Sequence, residues 1–320
     1  MRQALESVVA QAREALGSRG NVIGPDAAEA PRFELFHAAN SICSQKVRTV
    51  LAYHGVPYAN HSLNLFKGDT YQPAYVRLRM IGCEELGGAL VSHHSGSTSA
   101  SAGGCDGAVV PTLVDRQTAS VVVDSKRICL YLDELAAEGR KLRPASLAEA
   151  IDEELAIVDN MPNYQMLMGR SPAASEGDQT KGNTGGKFSQ MKVAWCDRYL
   201  RENAEDPSLV AAYTAKRAKE LSAANELFSP EAMAAAHDCA QAALRDLEGK
   251  LARSARPWLY GATPSMADLF WAIQLLRMKN IGEATSWEAG RLPHVANFLV
   301  ASEGLSAIRA AIIEWPSALF

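Results

Sequence analysis

The apolar residues change their periodicity near residue 144, and this switch restricts the possible folds more than any other feature of the chain. Before it, elements are short and of both kinds. Phe33 to His37 reads as a strand, and Ser41 to His54 carries Cys43, Val47, Val50 and Leu51 on one helical face, with Gly55 as a stop. Val56 to Leu63 reads as a second strand. After a long connection, Val109 to Asp115 and Ser120 to Val123 read as a hairpin across a turn containing Arg116 and Gln117. Asp124 and Ser125 then cap a helix with Ile128, Tyr131, Leu132 and Leu135 on one face, ended by Gly139. Beyond residue 144 only helical spacing remains: Ala148, Ile151, Leu155, Val158; Met233, Ala240, Leu244, Leu247, Leu251; Met266, Leu269, Phe270, Ile273, Leu276. The expected class is α/β plus all-α, with a βαβ-ββα domain over 32–140 and an all-helical domain over 144–320. Residues 1–31 read as an appended helical arm, its helix spanning Gln3 to Leu16. An insertion is expected near 80–108, with the Ser-, Gly- and His-rich stretch 93–107 as a mobile loop. A second polar loop is expected over 171–186.

At 320 residues and 48% hydrophobic composition the chain is long enough to bury two cores. A formal charge of -4 leaves no basic footprint for nucleic acid. No apolar run approaches the ~18 residues of a membrane span, and the first sixteen residues mix Arg, Glu and Gln with apolar ones, unlike a signal peptide. The expectation is a cytoplasmic protein without a membrane partner. Six irregularly spaced cysteines, with no C-x-x-C and no Cys/His clamp, predict reduced thiols and no metal site. His93 and His94 lack a third ligand at metal spacing and read as a solvated loop.

One thiol stands apart by context. Cys43 falls in the first turn of a helix that follows a strand directly, where unpaired backbone N–H groups and the helix dipole favour thiolate. The position three residues on is Lys46, so no resolving cysteine is adjacent, and the chemistry open to Cys43 is a mixed disulfide with an external small thiol. Ser41, at the helix start, either donates to a bound thiolate or caps the helix. Val110-Pro111 before a strand suggests a cis turn that presents the Val110 backbone to a ligand. Asp124-Ser125 opens a helix where N–H groups and a hydroxyl bind a carboxylate, or where the side chain simply caps. Met161, Tyr164, Met166 and Met168 are candidates for either pocket lining or core.

The element order resembles a thioredoxin-like domain followed by a helical partner. The run Ser41-Ile42-Cys43-Ser44-Gln45-Lys46-Val47-Arg48, with Val110-Pro111 and Asp124-Ser125, resembles the glutathione S-transferase superfamily. Ser265 and Asp268, within Gly261 to Asp268, resemble the reciprocal helix cap of that family's helical domain. Within the superfamily the chain is similar to the hydroquinone reductive dehalogenases, the group of tetrachlorohydroquinone dehalogenase and 2,5-dichlorohydroquinone reductive dechlorinase. These are relatives of the zeta-class isomerases, from whose Ser-Ser-Cys-Ser run this chain departs at Ile42. The resemblance implies catalytic Cys43 and Ser41, glutathione held by Val110, Pro111, Asp124 and Ser125, a small aromatic or quinoid substrate, and a homodimer. It leaves open a thioether lyase or β-etherase acting on lignin-type aromatics, a maleylacetoacetate-type isomerase, and a glutathione-binding scaffold.

Overall fold

The computed structural model describes residues 2–25, 30–87, 89–97, 104–169, 184–254 and 256–319. Its N-terminal half contains α1 (Arg2–Ala15), β1 (Asn21–Ile23), β2 (Phe33–His37), α2 (Ile42–His54), β3 (Tyr58–Ser62), α3 (Pro73–Glu85), β4 (Thr112–Asp115), β5 (Ser120–Val123) and α4 (Ser125–Glu134). The strands form one mixed sheet in the order β1-β3-β2-β4-β5, with β2 and β3 parallel and the other pairs antiparallel. All five residues of β2 are buried because the sheet is covered on both faces. Phe33 and Leu35 enter one core while Phe36 enters the other, as the two-residue strand period requires.

Helices follow: α5 (Ala148–Asp159), α6 (Asn163–Gly169), α7 (Thr184–Glu202), α8 (Pro207–Glu226), α9 (Pro230–Arg253), α10 (Met266–Asn280), α11 (Pro293–Glu303) and α12 (Ser306–Ile308), the last running into a π-helical turn, Arg309–Ile313. The α/β plus all-α class, thioredoxin-like domain then helical domain, is as expected. α10 is buried on every side and starts with the expected reciprocal cap: Ser265 Oγ accepts from Asp268 N–H (3.3 Å) and Asp268 Oδ2 accepts from Ser265 N–H (2.8 Å). No single helix among the described residues is long and apolar enough to cross a membrane.

Three expectations need correction. First, the N-terminal arm is built into the sheet: β1 pairs antiparallel with β3, and Leu5, Val9 and Ala12 of α1 enter the second core. Arg13 donates to Glu34 (2.8 Å), and Ser18 Oγ hydrogen-bonds His61 Nδ1 (2.8 Å). A three-residue strand is too short to show a period, so its partner alone defines it. Second, the connection after β3 holds a full helix, α3. Its Gly82 lies against β5, where an added Cβ would come within 2.7 Å of Val121 O and Val123 Cγ1. Third, Cys83 and Cys105 form a disulfide instead of remaining thiols; 22 residues separate them, and only folding brings them together. That bridge ties α3 to the segment 104–108, so the later part of the Ser/Gly stretch is anchored. Residues 98–103 of that stretch lie outside the described residues, as does 171–183 of the second polar loop; 184–186 begin α7.

Candidate functional site

A cavity of about 210 Å³ opens between the N-terminal ends of α2 and α4, the segment 104–110, and helices α6, α7, α8 and α10. Ser41, Cys43, Val110, Asp124 and Ser125 all line it. Pro111 stands behind the wall: its bond to Val110 is cis, and its carbonyl accepts from Arg79 Nη1. Ser41 caps α2, its Oγ accepting from Ser44 N–H (3.3 Å), which leaves the hydroxyl proton to donate toward the cavity. Cys43 is in the first turn that this cap starts, 8% exposed and still a thiol. Asp124 adopts φ +73°, a conformation that side chains other than glycine seldom take, and accepts from Arg127 N–H (3.2 Å) as the cap of α4. Ser125 follows as the first helical residue.

Two cations flank the Cys43 sulfur. Lys46 is buried and donates to Asp159 (2.7 Å) while lying 4.4 Å from the centre of the Phe270 ring. Burial disfavours its charge, but attraction to Asp159 and to Cys43 prevails and raises its pKa. Arg277, from α10, donates to Asn40 O (2.5 Å); burial lowers its pKa to about 10, and Cys43 opposes that fall. Arg48 is not at the site. It donates to Ala311 O (3.0 and 2.9 Å) and stacks on Trp315 (4.5 Å), fastening the C-terminal turn to α2.

The opposite wall went largely unread in the sequence. Tyr164 and Met168 of α6 line the cavity, whereas Met161 is core and Met166 packs against it. Phe66 and Phe188 add rings 5.4 Å apart. His93 is solvent-exposed, but His94 is buried, stacked on Tyr164 at 4.6 Å, and lines the cavity. Burial and the nearby Lys219 lower its pKa to about 3, so its ring is neutral at neutral pH. Lys216 and Lys219 of α8 meet Asp106 from the anchored segment, and Glu220 of the same helix meets Lys216 and Lys192 of α7. The sequence signal was the i, i+3, i+4 spacing of Lys216, Lys219 and Glu220 on a helix, which equally describes a solvated face.

The cavity wall near Val110 is braced from α3. Tyr75 donates to Val109 O (2.7 Å), and Arg79, one turn later, donates to Asp106 O (2.6 Å) and Thr112 Oγ1 (3.0 Å). Both side chains are buried and reach the same strand entrance, which the i, i+4 spacing on one helix face permits.

Comparison with known proteins bears on this arrangement. Residues 40–135 match the family model of the glutathione S-transferase N-terminal domain, and 230–301 that of its C-terminal domain. The chain is 35% identical over 292 residues to 2,5-dichlorohydroquinone reductive dechlorinase of Sphingobium indicum, covering 89% of this chain and 84% of that protein. Among solved structures it is similar in fold to β-etherase LigF from Sphingobium sp. strain SYK-6, with TM-score 0.56, 14% identity, and 88% and 98% of the two chains covered. A glutathione transferase from Phanerochaete chrysosporium, URE2P6, solved with oxidised glutathione, gives TM-score 0.54 and 16% identity, with 91% and 99% covered. The two domain matches, and an identity of 35% sustained through nearly the whole length, make this chain a member of the glutathione S-transferase family.

Proposed function

We propose that this protein is a glutathione-dependent reductive dehalogenase acting on an aromatic substrate of the chlorohydroquinone kind. The observation that carries the reading is the Cys43 thiol in the first turn of α2, on the cavity wall, beside the Lys46 and Arg277 cations. A non-catalytic binding protein needs no nucleophile there. The 35% identity to a reductive dechlorinase supports the choice of reaction.

In this reading glutathione lies along the start of α2 and the Val110-Pro111 turn. Its γ-glutamyl amino group meets the Asp124 carboxylate, and its carboxylate meets Ser125 and the opening of α4. The Ser41 hydroxyl donates to the glutathione thiolate, which attacks the ring carbon bearing chlorine. A carbon–sulfur bond forms and chloride leaves. The Cys43 thiolate then attacks the thioether sulfur; the ring carbon keeps the electron pair and takes a proton, and Cys43 is left bonded to glutathione. A second glutathione thiolate attacks that mixed disulfide, freeing Cys43 and releasing oxidised glutathione. Two glutathiones thus supply the two electrons that replace chlorine by hydrogen.

The compartment that fits is the cytoplasm, where glutathione is kept reduced, and the assembly that fits is a homodimer. Residues 32–140 serve as the glutathione-binding domain and 144–320 as the substrate domain. The test is to count chloride and oxidised glutathione from a chlorohydroquinone with the native protein and with Cys43→Ser. One chloride per oxidised glutathione is expected from the native protein, and a glutathionyl thioether should build up in the variant. Rapid full reduction by Cys43→Ser would overturn the role of Cys43. Bound glutathione with no chloride released from any chlorohydroquinone would turn the reading toward ether cleavage or isomerisation.

A further inference from the structure

The wall facing Cys43 carries more positive than negative charge. Three ammonium groups, Lys192, Lys216 and Lys219, share two carboxylates, Asp106 and Glu220. The carboxylate oxygens are all engaged. Asp106 Oδ2 accepts from Lys216 (2.8 Å) and Lys219 (3.0 Å), and its Oδ1 accepts from Ala108 N–H (2.9 Å). Glu220 Oε1 takes Lys216 (3.0 Å) and Oε2 takes Lys192 (3.1 Å). Lys192 also donates to the Tyr164 hydroxyl (3.1 Å), so it is held twice. Lys219 differs: among the described residues its ammonium, with three donors, has a hydrogen-bond partner only in Asp106.

The surroundings do not cancel this excess. Arg79 adds a further cation to the cavity wall, and His94 is neutral. Burial and the like charge of Lys216 act against the Lys219 ammonium and lower its pKa despite the pull of Asp106. A partly desolvated ammonium with spare donors that faces a cavity is stabilised when an anion arrives. Beside it are rings suited to a flat aromatic guest: Phe66, Phe188, Tyr164 and His94.

We propose that Lys219 makes this end of the cavity a subsite for an aromatic ring bearing an ionised oxygen, so that the substrate is taken as its phenolate. The proposal rests on reading this cavity as the electrophile site, and it deepens that reading: selection is for the charge on the ring oxygen, beyond ring shape. The phenolate oxygen accepts from the Lys219 ammonium, supplying the counter-charge that Asp106 and Glu220 leave wanting, and the phenol's proton goes to solvent.

Equilibrium binding tests this without turnover. Affinities of 2,4,6-trichlorophenolate and its methyl ether, 2,4,6-trichloroanisole, are measured at a pH where the phenol is ionised, with the native protein, Lys219→Met and Lys219→Arg. The native protein should bind the phenolate at least about tenfold more tightly than the ether, the scale of a charged hydrogen bond. Lys219→Met should bring that ratio close to one, and Lys219→Arg should keep most of it. A native ratio near one, or a ratio that survives Lys219→Met, overturns the proposal. The native measurement needs no variant, so a poorly folding Lys219→Met leaves the question decidable. Because nothing is turned over, the subsite can stand if the Cys43 chemistry fails, and can fail if that chemistry stands.

Discussion

Lys46 shows how one residue serves both stability and chemistry. A lysine whose side chain is 1% exposed has lost its hydration and is tolerated only because Asp159, 5% exposed, meets it at 2.7 Å. The pair joins α2 of the first domain to α5 of the second, so the cation beside Cys43 is positioned from across the domain boundary. Replacing Lys46 by Met leaves the Asp159 carboxylate buried with, among the described residues, only Lys126, 3.7 Å away, as an ionic partner. The expected cost is about 3–5 kcal/mol of unfolding free energy, read from denaturant midpoints at pH 7. A change below about 1 kcal/mol would mean that the charge pair adds nothing over an apolar contact. Lys46 is therefore neither a surface lysine nor a direct ligand.

At the scale of elements, α3 governs the cavity without supplying its nucleophile. Gly82 lets α3 approach β5 closely enough that the Tyr75 and Arg79 side chains reach the turn before β4. Gly82→Ala forces its new methyl group to within 2.7 Å of the Val121 carbonyl oxygen, and the helix must move away. The expected loss is about 1–3 kcal/mol, the usual cost of overpacking. Weaker glutathione binding should accompany it, as Arg79 withdraws from Pro111 and Asp106. Calorimetric Tm and glutathione titration of this variant check both; unchanged Tm would show that the sheet gives way freely. The β2-β3 pairing depends on a similar buried device. His37 Nδ1 accepts from Arg48 (3.1 Å), which makes Nε2 the protonated nitrogen that donates to Asn60 Oδ1.

For the whole molecule, buried titrating groups predict how stability falls with acid. Burial, then Arg48, lowers the His37 pKa to about 3, and burial, then Lys219, does the same for His94. Burial would raise Glu34 and Glu220, but His61 and Arg13 hold Glu34 at about 2, and Lys192 and Lys216 hold Glu220 at about 2. All four folded pKa values lie below the unfolded ones, so the unfolded chain binds these protons first as pH falls. Stability should be full above about pH 6.5, begin to fall there as histidines of the unfolded chain gain protons, and fall further from about 4.5 toward 2. Denaturant midpoints across this range check it, and His94→Gln should flatten the first part of the slope. A flat profile between pH 6.5 and 4.5 would contradict the neutral buried histidines. The disulfide gives a simpler check: unfolded without reductant, the chain should titrate four thiols, Cys43, Cys129, Cys196 and Cys239, and six after reduction.

The sequence by itself determined the runs β2-α2-β3 and β4-β5-α4, the change from mixed to helical periodicity, the caps at Ser41 and Ser265, and the exceptional context of Cys43. All of these are local, set by neighbours within about one helical turn or one strand pair. Tertiary structure alone decided that Asn21–Ile23 is a strand, that Cys83 and Cys105 are joined, that His94 faces a cavity, that Lys46 is a buried cation, and that Lys219 lines the cavity wall. A helix spacing such as Lys216, Lys219, Glu220 is the same on a solvated face and on a cavity wall. Its meaning was set by Asp106, 110 residues away from Lys216, and by the fold that brings them to 2.8 Å.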